Sequence, residues 1–134
     1  MIHLTRKTYF SAGHRYANPE WSEEKNREVF GKCFNPGGHG HNYVLEVTVG
    51  GDPDPKTGMV INLAVIDKIL QAVLEEVDHK NLNLDIAQFQ NRNPTTENLA
   101  VYLWGRIRER LGDAARLEHL RLYEDENLYV DYTG

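Results

Sequence analysis

At 134 residues, 40% of them hydrophobic, and with a formal net charge of −5, the chain is long enough for one domain with a buried core and too short for two. The acidic balance excludes a binder of nucleic acid or anionic membrane, because such partners require a face rich in Lys and Arg. One cysteine excludes an intrachain disulfide framework, the opening Met1-Ile2-His3-Leu4-Thr5-Arg6-Lys7 has no apolar signal region, and no apolar run reaches membrane-spanning length, so a reducing cytoplasmic setting is expected.

In chain order, Ile2 to Tyr16 reads as a strand, with Ile2, Leu4, Phe10, Ala12 and His14 on one parity and Thr5, Lys7 and Tyr9 on the other. Pro19 to Phe30 is polar and charged and ends before Gly31, which suits a short exposed helix or an ordered insertion. Gly31 to Gly40 is a Gly/Pro/Asn-rich loop that carries Cys33. From His41 to Val49 apolar and polar residues alternate as on a half-buried strand, and Gly50 to Gly58 is a turn. Leu63 to Val77 has helical apolar spacing, with Asn62 as its cap, and delivers Asp78-His79. An irregular stretch follows, then Pro94-Thr95-Thr96-Glu97 opens a second helix that Gly112 stops. Leu117 to Tyr123 and Leu128 to Tyr132 read as two strands around Asp125-Glu126-Asn127. The order is strand, strand, helix, helix, strand, strand, an α+β arrangement.

His14, His39 and His41 match the ligand count of a catalytic zinc site with an open position; the alternative is that His14 is a satisfied core histidine and His39-Gly40-His41 a polar strand start. At i, i+2 on an extended strand, His39 and His41 project from one face, and His14 ends another strand on its apolar parity. Cys33 could close the site as a fourth ligand, act as a thiolate base or nucleophile, or fill space as a small apolar residue; its Gly-rich loop favours a position beside the metal. Asp78-His79 is either an acid–imidazole pair in which Asp orients the ring or a plain helix stop. Glu124 shares the parity of Leu120 and Leu122, so it is either an inward carboxylate for a ligand N–H edge or an ordinary turn residue.

Taken together, Phe10-Ser11-Ala12-Gly13-His14, Gly31-Lys32-Cys33 with His39-Gly40-His41-Asn42-Tyr43, Asp78-His79-Lys80-Asn81-Leu82-Asn83, Pro94-Thr95-Thr96-Glu97-Asn98 and Tyr123-Glu124 resemble the 6-pyruvoyl tetrahydropterin synthase family over nearly the whole chain. The resemblance implies the tunnelling fold: a four-stranded antiparallel sheet with two helices on one face, three subunits closing a barrel, two trimers stacked as a hexamer, and active sites between subunits. It implies that His14, His39 and His41 hold Zn2+, that Cys33 is the proton-abstracting base supported by Asp78 and His79, and that Glu124 anchors the pterin ring with Thr95, Thr96 and Glu97 near it. The implied substrate is 7,8-dihydroneopterin triphosphate, and the implied products are 6-pyruvoyl tetrahydropterin and inorganic triphosphate. No dinucleotide-binding Gly motif is present, in keeping with a reaction that uses no outside oxidant.

Arg15, Lys32 and Lys80 adjoin these motifs and are the candidates for triphosphate, while an accessory Mg2+ is left open. The rival within the family is 6-carboxytetrahydropterin synthase of the queuosine route, whose members resemble this chain in zinc ligands and fold but have a shorter spacer than the five residues Phe34 to Gly38 between Cys33 and His39. Two further readings are a non-catalytic zinc or pterin binder closed by Cys33 and a cysteine hydrolase using Cys33, His79 and Asp78.

Overall fold

A computed structural model describes residues 1–134. β1 (Ile2–His14) and β2 (His39–Gly51) run antiparallel in unbroken register, from Ile2 opposite Gly51 to His14 opposite His39. Alternation makes this ladder two-faced: Phe10 and Ala12 of β1, with Tyr43, Leu45, Val47 and Val49 of β2, are buried on one side. The other side pairs polar groups across the strands, including Thr5 with Thr48, Lys7 with Glu46 and Ser11 with Asn42. β4 (Arg116–Asp125) pairs with the far edge of β2, and β5 (Leu128–Tyr132) completes a hairpin with it.

α2 (Leu63–Leu74) and α4 (Thr96–Leu111) cover the apolar face. Each begins where a side chain replaces the missing intrahelical acceptor: Asn62 accepts from Ala64 N–H and Thr95 accepts from Asn98 N–H. Ile66, Leu70 and Val73 of α2 and Leu99, Leu103 and Ile107 of α4 are buried with Leu120 and Leu122 in one continuous core. Each such side chain contributes about 1.5–3 kcal/mol relative to exposure. No helix is long and apolar enough to cross a membrane.

Four differences from the sequence-based expectations have local causes. β1 stops at His14 instead of Tyr16, because the Asn83 side chain takes the Arg15 backbone, accepting from its N–H at 2.7 Å and donating to its C=O at 2.8 Å. The Gly31–Gly40 loop is partly ordered: α1 (Glu23–Phe30) runs into a 3-10 turn at Gly31–Phe34, and β2 already begins at His39. α2 ends at Leu74, short of Val77, since Asp78 N–H turns back to the Leu74 carbonyl; Val77 stays buried through that turn. The irregular stretch contains β3 (Lys80–Asn81), which runs parallel to β1 beside Ala12 and Gly13, and α3 (Leu82–Asp85). The sheet order is therefore β3-β1-β2-β4-β5, with the four long strands antiparallel.

Candidate active site

The register of β1 against β2 builds the histidine cluster. His14 and His39 are cross-strand partners and Ala12 faces His41, so all three imidazoles emerge on the helix-covered side at one end of the sheet. The turn feeding this end requires Gly38: at its φ of 65°, a Cβ would lie 2.5 Å from the His14 carbonyl oxygen. His14 Nε2 is 3.1 Å from His39 Nε2, close to the roughly 3.3 Å separating two nitrogens on one tetrahedral ion at about 2.0–2.1 Å.

His41 Nε2 is buried without a hydrogen-bond partner, although Glu124 Oε1 is 2.8 Å away. The distance fits an ion pair, but the direction does not fit a donated N–H, so the ring nitrogen presents a lone pair to the cluster centre. Burial, with His41 and His39 beside it, pushes the His14 pKa down to about 4, which keeps this ring neutral at pH 7. Its Nδ1 lies 3.1 Å from the Tyr43 hydroxyl; a proton on Nδ1, donated to that oxygen, leaves Nε2 free to ligate. An orphaned buried nitrogen, a neutral ring and a partner fixing its tautomer are what a metal-holding set of imidazoles needs. His14, His39, His41 and Glu124 form the chain's one metal-capable group, with their ligand atoms all within 4.8 Å of one another.

Cys33 Sγ stands 3.8 Å from His39 Nε2, beside this group, and the Cys33 carbonyl accepts from Tyr16 N–H at 2.7 Å. Burial, then the Glu124 carboxylate, pushes the thiol pKa up. Glu124 itself is buried and committed: Oε1 faces His41, and Oε2 accepts from the Thr96 hydroxyl at 2.5 Å. Thr95 is spent as the α4 cap, whereas Glu97, in the first turn of that helix, is exposed.

Asp78 and His79 lie elsewhere. Asp78 Oδ1 accepts from Ser11 N–H at 2.9 Å, His79 N–H donates to the Ser11 carbonyl, and His79 Nδ1 is 2.9 Å from Asp78 Oδ1. The Ser11 N–H bond, above all, holds the Asp78 pKa down. His79 has a φ of 57°, and its side chain is 83% exposed on the outer edge of β1. The local Asp–His pair therefore exists, but no hydrogen bond within one chain joins it to Cys33.

Of the expected phosphate ligands, Arg15 is partly used: its Nε donates to the Phe34 and Asn35 carbonyls, and its guanidinium lies 4.4 Å from the Phe34 ring centre. Lys32 and Lys80 are exposed and have no carboxylate partner. Sequence reasoning missed Tyr43 and Tyr16. Tyr43 continues the parity of His39 and His41, a usable signal, whereas Tyr16 lies beyond the end of its strand.

These features define an α+β protein that carries a histidine-rich, metal-capable site on the helical face of its sheet, with a cysteine and a carboxylate in attendance. Residues 3–134 match the family model described as 6-pyruvoyl tetrahydropterin synthase, and the chain belongs to that family. It is 46% identical over 132 residues to a 6-pyruvoyl tetrahydrobiopterin synthase of Pongo abelii, covering 98% of this chain and 90% of that one. The structure of 6-pyruvoyl tetrahydropterin synthase from Caenorhabditis elegans superposes with a TM-score of 0.94 at 37% identity, over 99% of this chain and 95% of that one. A 6-carboxy-5,6,7,8-tetrahydropterin synthase of Rickettsia felis is more distant, 30% identical over 149 residues that cover 98% of this chain and 99% of that one. The fold is the tunnelling fold of the family.

Proposed function

We propose that the chain is a lyase that converts 7,8-dihydroneopterin triphosphate into 6-pyruvoyl tetrahydropterin and inorganic triphosphate. The observation that carries this reading is Cys33 Sγ at 3.8 Å from a metal-capable histidine cluster, in a chain similar throughout to synthases of that name. His14, His39 and His41 would hold zinc, which when bound supplies Lewis-acid stabilisation of negative charge on the substrate's side-chain oxygens. Cys33 is assigned removal of the carbon-bound proton.

Glu97 joins Glu124 as a candidate anchor for the pterin ring. Glu124 is buried, with Oε2 held by the Thr96 hydroxyl and Oε1 turned to the histidine cluster, whereas the Glu97 carboxylate is exposed and without an ion-pair partner. Glu124 then sits beside the reacting side chain, where its charge can steady the imidazoles.

Asp78 and His79 are assigned to the site of a second copy, because neither reaches Cys33 within one chain. The barrel, and a hexamer of two stacked rings, is supported by an open edge: β3 covers β1 only at Ala12 and Gly13. Lys32, Lys80 and the free nitrogens of Arg15 remain the triphosphate candidates. A reducing cytoplasm suits a site that depends on the free Cys33 thiol.

The deciding experiment is incubation of the zinc-loaded protein with dihydroneopterin triphosphate, with the products separated by chromatography. Triphosphate and 6-pyruvoyl tetrahydropterin without acetaldehyde are expected; stoichiometric acetaldehyde would transfer the chain to the carboxy-forming branch.

A further inference from the structure

We propose that the Tyr16 hydroxyl is a further substrate-contacting group, a hydrogen-bond donor to the side-chain oxygens of the bound pterin. This rests on the proposed function. Tyr16 lies two residues beyond the end of β1, outside its ladder, and its own contacts place it beside the histidine cluster. Its ring lies against His14, centroids 4.6 Å apart, and is backed by Phe30 at 6.1 Å, which stacks on Trp21 at 5.8 Å. Its N–H is tied to the Cys33 carbonyl at 2.7 Å, so the tyrosine and the cysteine are placed together.

Glu124, Tyr43, Cys33 and Glu97 lie within electrostatic reach of the hydroxyl, which is open to solvent, since His41 Nε2 is the one fully buried side-chain polar atom without a partner. Of the neighbouring hydroxyls, Thr96 donates to Glu124, whereas Tyr43 accepts from His14 and Thr95 accepts from Asn98 N–H. Tyr16 adds a neutral donor on the cysteine side of the cluster. A phenylalanine would serve equally well as an apolar wall, so the hydroxyl is the part of the side chain that a ligand can use in place of water.

The test is Tyr16→Phe, which removes one unpartnered atom and leaves the ring packing in place. Zinc content, thermal midpoint and sedimentation are expected to match the parent. Binding of unphosphorylated 7,8-dihydroneopterin, measured by calorimetry, should weaken about 3–10-fold, the loss of one neutral hydrogen bond. kcat on the triphosphate should fall further, about tenfold or more, because charge grows on the bonded oxygen during reaction. Affinity and kcat both within twofold of the parent would overturn the inference and leave the proposed function standing. A parent that does not turn over the triphosphate would overturn both. A change in sedimentation would assign the hydroxyl to a subunit contact and overturn the inference alone.

Discussion

His14 is constrained at both of its ring nitrogens. It is 1% exposed, its Nδ1 meets Tyr43 and its Nε2 meets the cluster centre. His14→Ala is therefore expected to abolish zinc binding in a competition assay with a chromophoric chelator. Tyr43→Phe should keep the fold and weaken zinc by about tenfold, since only the tautomer-fixing contact is lost. Cys33→Ala should retain zinc in full while turnover disappears; loss of the metal would instead make Cys33 a ligand. The three imidazoles were legible in the sequence because strand parity is a local property. The Tyr43–His14 and Thr96–Glu124 contacts span 29 and 28 residues, and no local pattern announces them.

At the scale of elements, Glu76 joins α2 to α4. Just past the end of α2, its carboxylate accepts from Tyr102 at 2.8 Å, from Arg106 through two nitrogens at 2.9 Å and from Arg110 at 2.5 Å. The Arg106 hydrogen bonds, above all, hold the Glu76 pKa down to about 2. A depressed carboxylate contributes stability that is complete above its unfolded pKa, near 4.5, and is lost as pH falls towards the folded value near 2. Glu76→Gln should therefore cost about 1–2 kcal/mol at pH 7 in urea unfolding, with the difference from the parent shrinking between pH 4.5 and 2. A constant difference across that window would assign the effect to packing. The same elements show how far periodicity reaches: twelve residues of α2 and sixteen of α4 announce themselves through an apolar stripe. Lys80–Asn81 is too short to show any period, and its strand conformation is imposed by Ala12 and Gly13 of β1.

At the scale of the whole molecule, the proposed division of the site between copies makes a distinctive prediction. Cys33→Ala and His79→Ala chains, each inactive alone, should regain activity when unfolded together and reassembled, because one interface in the mixture unites an intact cysteine with an intact histidine. Mixtures no more active than either variant would confine each site to a single chain. The thirteen-residue register that sets His14 opposite His39 also bears on how the molecule is made. A slip of one residue would turn every side chain of a strand to the opposite face and carry its imidazoles away from their partners. Only a correctly paired hairpin brings the three imidazoles together, so uptake of a metal by that group would double as an inspection of folding, passed by chains whose strands have met in the right frame.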